Sequence, residues 1–309
     1  MERDDRHDVR QGGAWTFGQS LKNAILFGAA RCLLALLGPL PRAFLVRLGR
    51  ALGAVCHAVL RGERKKARAN VARVLPGMAP READALVART FRTLGENLGD
   101  TVDLYGKARL SPSLPFEAGS LEVLDHARRE GRGVVLASGH LGPWERVAAS
   151  FVEAGCPLVT LAREAYDPRL TSVLVRLRER HGVRAIFRGS PGAAARIVRT
   201  LRRGEVLGAP MDLASRVPSV PVEILGHEAP TAVGPARIAL RSGARVVVGS
   251  FVGGVIRVTP VPTDDLRAGP GAEVELCRRI NAELTRRILE SPEHWPWMHD
   301  RFRTSPQRH

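Results

Sequence analysis

The chain has 309 residues, enough for one or two domains with a large core, and its 47 lysine and arginine residues against 31 acidic residues give a formal net charge of +16. An excess of this size indicates an anionic partner, such as nucleic acid, acidic phospholipid headgroups or an acidic carrier protein. The sequence contains no zinc-ligand cysteine spacing, basic zipper or RNP-like aromatic strand, so we expect no nucleic-acid partner.

The N-terminal region predicts two apolar helices after a polar segment. Residues 1–20 are predicted to be disordered, and residues 24–37 and 44–60 are largely apolar. Arg31 and residues 39–42 interrupt the apolar run, which leaves it short of the roughly 20 apolar residues that a spanning helix needs. The segment also lacks the small-residue cleavage site of a signal peptide. We therefore predict an in-plane amphipathic membrane anchor, with a single transmembrane pass and an ordinary pair of core helices as alternatives.

A basic cluster follows the second apolar helix directly. Residues 61–68 contain five lysine or arginine side chains and one glutamate. Such a cluster beside an apolar helix is typical of a protein held on an anionic membrane leaflet, although a solvated helix face is the alternative. The sequence therefore predicts an anchor over residues 21–68 and one further domain over residues 69–303.

The rest of the chain alternates predicted strands and helices, a pattern that indicates an α/β fold with a mixed, mostly parallel central sheet covered by helices. Predicted helices lie at 80–104, 121–130, 143–155, 170–181, 193–203, 233–241 and 272–289, and predicted strands at 133–137, 157–163, 184–187, 206–211, 245–251 and 255–261. The four cysteines lie in apolar stretches, as is typical of buried free thiols. Trp295 and Trp297 are predicted to pack in the core.

A histidine and a glutamate stand where the first of these strands gives way to a helix. His140 follows the strand, and Glu145 lies in the first turn of the helix that begins near Pro143. In α/β sheets, the carboxyl ends of the strands are where ligand chemistry usually occurs.

This pair is able to act as a base and its orienting group. A carboxylate bonded to one ring nitrogen of His140 fixes the tautomer, so the other nitrogen is free to take a proton from an alcohol that attacks an acyl group. No serine or cysteine nucleophile is then needed, and the chain has no obvious Gly-x-Ser-x-Gly elbow. The alternative is a loop histidine that only makes a local hydrogen bond.

With Trp144 directly before the glutamate, this motif resembles that of the late acyltransferases of lipid A biosynthesis, of the lauroyl and myristoyl transferase type. The resemblance covers roughly residues 20–303, and its other matching segments are 69–71, 74–76, 201–206, Asp212, Gly226, 231–239 and 291–302. Leu141, Leu213 and the pair Ile224 and Leu225 differ from the residues usual in the family, at positions expected to line the substrate site.

The resemblance implies a glycerolipid acyltransferase-like fold and a membrane-associated O-acyltransferase. Its donor is an acyl thioester on acyl carrier protein or coenzyme A, and its acceptor is a hydroxyl of a membrane glycolipid such as a lipid A precursor. It further implies a place in lipopolysaccharide biosynthesis at the cytoplasmic face of the bacterial inner membrane, with no cofactor and no metal. The alternatives are an acyltransferase for glycerophospholipids or phosphatidylinositol mannosides, an esterase that uses the same His/Glu pair, and a non-catalytic binding protein.

Four further residues complete the predicted substrate site. Arg163 and Asp212 end two strands at the edge where His140 lies, and the resemblance places a family arginine and aspartate there. We expect Arg163 to bind a phosphate of the donor or acceptor and Asp212 to hold a sugar or lipid hydroxyl. A structural salt bridge is the alternative for each. Trp144 and Gly142 are also assigned to substrate binding.

Overall fold

The N-terminal part of the computed structural model is helical. The structure describes residues 13–107, 113–214 and 217–302. The first four helices are α1 (Phe17–Leu37), α2 (Arg42–Val59), α3 (Arg61–Val74) and α4 (Pro80–Gly106). Most of the segment predicted to be disordered, residues 1–12, lies outside the described residues. Residues 17–20 are the first turn of α1, contrary to that prediction, because Thr16 and Gln19 form a capping box that starts the helix there.

The remaining helices and strands form the predicted α/β domain. The helices are α5 (Ser120–Arg129), α6 (Trp144–Glu153), α7 (Pro168–Arg180), α8 (Ala193–Arg202), α9 (Gly234–Ser242) and α10 (Pro270–Glu290). The strands are β1 (Val134–Ser138), β2 (Leu158–Ala162), β3 (Arg184–Phe187), β4 (Val206–Pro210), β5 (Ser219–Ile224), β6 (His227–Ala232), β7 (Arg245–Val252) and β8 (Val255–Val261).

Six strands form the central sheet in the order β3-β2-β4-β1-β7-β8. Every neighbouring pair is parallel except the β7–β8 hairpin, which confirms the predicted mixed, mostly parallel sheet. The central strands are apolar on both faces because helices cover both faces. In β1, Leu136 packs towards α5 and α6, whereas Val135 and Ala137 pack towards α9 and α10.

The antiparallel β5–β6 hairpin was not predicted. Pro221 and Pro230 lie within its strands and weaken the sequence signal, since proline cannot donate to a ladder. Its turn holds Leu225 at a φ of 55°. Ile224 and Leu225 are buried against α3 and α4 rather than against the substrate cavity, so the expectation that they line the substrate site is wrong.

Helix α1 leaves most of its large apolar side chains exposed and the others half-buried. It has 21 residues and is long and apolar enough to cross a membrane by length and composition. At 1.5 Å per residue it spans about 30 Å, close to the thickness of a hydrocarbon core. The sequence placed the start of this helix seven residues later, at Ala24, and so underestimated its length.

Helix α2 lies backbone against backbone on α4. Gly49 and Gly53 of α2 face Gly95 and Gly99 of α4, and a Cβ atom on any of the four would overlap a main-chain oxygen of the other helix. Small residues at a four-residue spacing permit this approach, as they do between membrane helices. The division into an anchor over residues 21–68 and a separate catalytic domain over residues 69–303 stays a prediction. The α2–α4 interface joins a helix of the first segment to a helix of the second.

Candidate active site

The register of the sheet brings His140 and Asp212 together. β1 and β4 are parallel neighbours, with Ser138 opposite Pro210 at their carboxyl ends. His140 and Asp212 each lie two residues beyond these ends. The chain therefore presents the two side chains side by side at the sheet edge, although 72 residues separate them in sequence.

Asp212 holds the histidine through two hydrogen bonds and accepts a third from a tryptophan. Its Oδ1 lies 2.9 Å from His140 Nδ1, and its Oδ2 accepts the His140 backbone N–H at 2.8 Å. Trp295 Nε1 donates to the same Oδ2 at 3.0 Å. The Asp212 side chain is fully buried, whereas the His140 side chain is 31% exposed. The carboxylate is thus a fixed support, and the imidazole is open to the site.

The electrostatics follow from this pairing. Burial lowers the pKa of His140, but the charge and hydrogen bond of Asp212 outweigh it, so the pKa is raised above its usual value. Burial likewise opposes ionisation of Asp212, yet the contacts with His140 and Trp295 lower its pKa. An ionised Asp212 accepts the proton on Nδ1, which leaves Nε2 with the lone pair that a base needs.

The predicted pairing of Glu145 with His140 is wrong in its geometry. Glu145 lies in the first turn of α6 and faces α7, where Arg178 donates to both carboxylate oxygens at 2.9 and 2.6 Å. The orienting partner of His140 Nδ1 is instead Asp212. The negative charge of Glu145 still contributes to the raised pKa of His140. The two oxygens of Asp212 already accept three protein donors, and its predicted role in holding a sugar or lipid hydroxyl stays a prediction.

The predicted residues Trp144 and Gly142 have different roles. The Trp144 ring packs edge-on against His140 at 5.4 Å between centroids and lines the cavity. Gly142 does not line it. Its φ is +64°, and a Cβ there would overlap the Phe251 ring, so its place in the turn requires glycine for steric reasons rather than for substrate binding.

A large cavity opens at this edge of the sheet. Its volume is about 560 Å³, within the usual range for ligand pockets. It reaches around the strand ends, so residues from both sheet faces line it. Apolar lining residues include Leu136, Phe151 and Leu158 from the α6 face, and Leu161, Ile197, Val233 and Ile238 from the α9 face. This largely apolar space suits a hydrocarbon chain.

Two arginines make the rim of the cavity cationic. Arg163 follows β2 and Arg188 follows β3, and both side chains line the cavity as exposed residues. Burial and the nearby charge of Arg163 lower the pKa of Arg188. Arg163 is therefore where the sequence placed it, while Arg188 was missed although it directly follows the predicted strand 184–187 and so has the same strand-end position.

Sequence reasoning also missed the roles of Arg178 and Trp295. Both Trp295 and Trp297 are buried, as the packing prediction required, and their rings meet edge to face at 4.9 Å. The indole N–H of Trp295 reaches Asp212 only because the C-terminal segment folds back onto α4.

Within the described ranges, no group of three or more His, Cys, Asp or Glu side chains is placed to hold a metal ion. The absence of a metal stays a prediction.

A family model described as bacterial lipid A biosynthesis acyltransferase matches residues 19–304. The chain belongs to this family. The lipid A biosynthesis palmitoleoyltransferase of Escherichia coli (strain K12) is 25% identical over 279 residues, covering 86% of this chain and 87% of that protein. The lipid A biosynthesis acyltransferase of Shigella flexneri matches with the same identity and coverage. These findings confirm the predicted resemblance and the prediction that this protein is an acyltransferase. The family and the apolar helix α1 together suggest membrane association.

Proposed function

We propose that this lipid A acyltransferase family member transfers a fatty acyl group from a thioester to a hydroxyl of a membrane glycolipid such as a lipid A precursor. The observation that carries the proposal is the His140–Asp212 pair at the opening of an apolar cavity. A base for an alcohol and a cavity for a hydrocarbon chain are the two parts that O-acylation needs.

The reaction follows from the site geometry. His140 Nε2 takes the proton of the acceptor hydroxyl as its oxygen attacks the thioester carbonyl carbon, and Asp212 stabilises the resulting imidazolium. The tetrahedral intermediate then expels the thiolate, which takes the proton from His140. An ester bond forms, a thioester bond breaks, and the base returns to its neutral state. Neither a metal nor a covalent acyl-enzyme is required.

The surrounding residues support this assignment. Within the Glu145–Arg178 pair, the carboxylate raises the pKa of His140 more than the guanidinium lowers it. The pair also ties α6 to α7, which lines the cavity. Trp144 packs against the imidazole and limits its rotation. We assign Arg163 to a phosphate of the donor or acceptor, because a guanidinium matches phosphate geometry.

The exposed apolar surface of α1 supports a membrane location. We place the protein at the cytoplasmic face of the inner membrane, where a soluble thioester donor and a lipid acceptor meet. The donor is acyl carrier protein or coenzyme A carrying the acyl chain. The basic surface of the chain, with its net charge of +16, suits an anionic leaflet.

Mass spectrometry of the lipid product tests the proposal. The purified full chain is supplied with an acyl thioester and a lipid A precursor in mixed micelles. The precursor is expected to gain the mass of one acyl chain, and lipids from cells without the gene are expected to lack that species. Release of free fatty acid with no acylated precursor would show an esterase. Acylation of a glycerophospholipid alone would show a different acceptor class.

A further inference from the structure

The first turn of α6 contains a fully buried arginine beside the site. Arg146 follows Glu145, and its side chain has no exposed surface. Its Nε donates to Asp100 Oδ2 at 2.6 Å, and its Nη2 donates to Asp103 Oδ2 at 2.6 Å. Both carboxylates belong to α4 and are almost fully buried. The guanidinium therefore fixes both the position and the rotation of α6 on α4.

One of these carboxylates also bonds to the start of α2. Arg42, the first residue of α2, donates from Nε to Asp100 Oδ1 at 2.6 Å. Asp100 is thus shared between an arginine of the apolar N-terminal helices and an arginine of the helix that follows His140. Lys107 lies 3.7 Å from Asp103, so three cations surround two anions.

Such a network is costly as a source of stability alone. Removing several charges from water costs several kcal/mol per ion, and apolar residues of similar volume often stabilise a core better. What paired charges supply is a unique geometry. Here that geometry fixes the first turn of α6. In this turn, Trp144 packs against His140 and Glu145 bonds to Arg178.

The packing of α2 makes its position rigid with respect to α4. The glycine contacts bring the two backbones together on one side of α2. The other side exposes five large apolar side chains, which are Phe44, Leu48, Leu52, Val55 and Val59. A membrane surface that binds this apolar side fixes the position of α2. It thereby also fixes the position of Arg42, which bonds to Asp100.

We propose that Arg42, Asp100 and Arg146 are positioning residues that couple the seating of α2 to the geometry of the active site. The measured effect rests on the proposed function, because acyl transfer is the readout. Arg42 acts through Asp100, Asp100 through Arg146, and Arg146 through the first turn of α6. None of the three touches the reacting atoms.

The test compares two arginines of α2. Arg42→Gln removes the link to Asp100, whereas Arg50→Gln removes an ion pair of the same 2.6 Å length, to Glu96, across the same two helices. In the full chain, Arg42→Gln is expected to lower kcat roughly 10-fold with an unchanged KM for the thioester, since small misplacements of catalytic groups are costly. The acid limb of its pH profile is expected to move to lower pH, because Glu145 then raises the pKa of His140 less. Arg50→Gln is expected to leave both unchanged.

A double-mutant cycle separates positioning from folding. Asp100→Asn is combined with Arg42→Gln, and the two losses in kcat are expected to be far from additive. Arg146→Lys keeps the charge but not the planar guanidinium that bridges Asp100 and Asp103, and it is expected to lower kcat in the same way. Equal kcat for Arg42→Gln and Arg50→Gln, additive losses in the cycle, or a loss that only follows the unfolded fraction by circular dichroism would overturn the inference. An inactive wild type would instead contradict the proposed function.

Discussion

At the scale of single residues, Asp212 uses both carboxylate oxygens to fix His140. Oδ1 orients the imidazole, and Oδ2 holds the backbone of the same residue together with the Trp295 indole. The histidine is therefore restrained at its main chain and at its ring. Gly139 lets Asp212 approach this closely, because a Cβ there would lie only 3.2 Å from the Asp212 Cγ. The base is preorganised before any substrate binds.

One methyl group in the cavity wall is expected to change the preferred acyl length. Gly208 lines the cavity, and a Cβ there would lie 3.3 Å from Leu158 Cδ1, so alanine fits with a small shift. Gly208→Ala removes room for about one methylene, worth about 0.8 kcal/mol, or roughly a 4-fold change in kcat/KM for the longest chains relative to shorter ones.

Competition between thioesters of different chain lengths measures this preference. Gly271→Ala on α10 is the matched control, because a Cβ there meets nothing within 4 Å. An unchanged length profile for Gly208→Ala would mean that the acyl chain lies elsewhere.

The sequence predicted the histidine of the site but not its partner. His140 was recognisable from its place between an apolar run and an amphipathic helix, and Glu145 was the nearest carboxylate in sequence. Asp212 was placed at the same sheet edge, yet only the β1–β4 pairing decides that it lies beside His140. Local periodicity does not reveal the strand order, so the sequence alone was unable to show that Asp212 rather than Glu145 bonds to His140.

At the scale of elements, strands with long apolar runs were predictable and the short irregular ones were not. β3 and β8 match their predicted limits, and the other strands of the central sheet match within two residues. The β5–β6 hairpin was missed because its prolines and polar residues give no clear alternation. The close α2–α4 contact was missed as well, since glycines four residues apart indicate it only when both helices are known to face each other.

The α2–α4 contact predicts a large loss of stability on adding one methyl group. A Cβ at Gly95 would overlap the Gly49 carbonyl, which is backbone and unable to rotate away. Gly95→Ala is expected to lower the free energy of unfolding by about 3 kcal/mol through overpacking.

Gly62→Ala on α3 is the control for this change, because a Cβ there meets nothing within 4 Å. It is expected to raise the stability by up to about 1 kcal/mol through helix propensity. Chemical denaturation in detergent measures both variants. Equal stability of the two would show that α2 and α4 do not pack through these glycines.

At the scale of the whole molecule, apolar and basic surfaces lie together in the N-terminal helices. The exposed apolar side chains are concentrated on α1 and α2, and α3 carries the basic cluster. Several cluster residues already have protein partners: Arg64 donates to the carbonyls of His57 and Ala58, and Arg68 pairs with Asp84. The cluster is thus partly structural.

Deleting residues 1–36 tests the role of α1. The helix exposes most of its apolar surface, so its loss is expected to shift the protein from the membrane fraction towards the soluble fraction while the rest keeps its fold. Fractionation and circular dichroism measure the two effects. An unfolded truncated protein would place α1 in the core instead.

The basic cluster is tested at two of its exposed positions. Arg61 and Lys65 are exposed on α3. Changing both to glutamine is expected to weaken binding to anionic vesicles by about 2 kcal/mol at low salt and hardly at all at high salt. The matched control changes Arg129 and Arg132, which are exposed at the opposite end of β1 from the site. Equal binding of the two double variants in vesicle sedimentation would reduce the cluster to a solvated helix face.

The pH dependence of acyl transfer in wild type and Asp212→Asn tests the central claim most directly. The base is the neutral imidazole, so kcat/KM falls as the pH drops through the pKa of His140. That pKa is raised by Asp212, which places the wild-type acid limb above the ordinary histidine value of 6.5. In Asp212→Asn the limb is expected to move to lower pH, and kcat is expected to fall on the order of 1000-fold because the tautomer is no longer fixed. An acid limb that stays in place in Asp212→Asn, with kcat near that of wild type, would contradict the account.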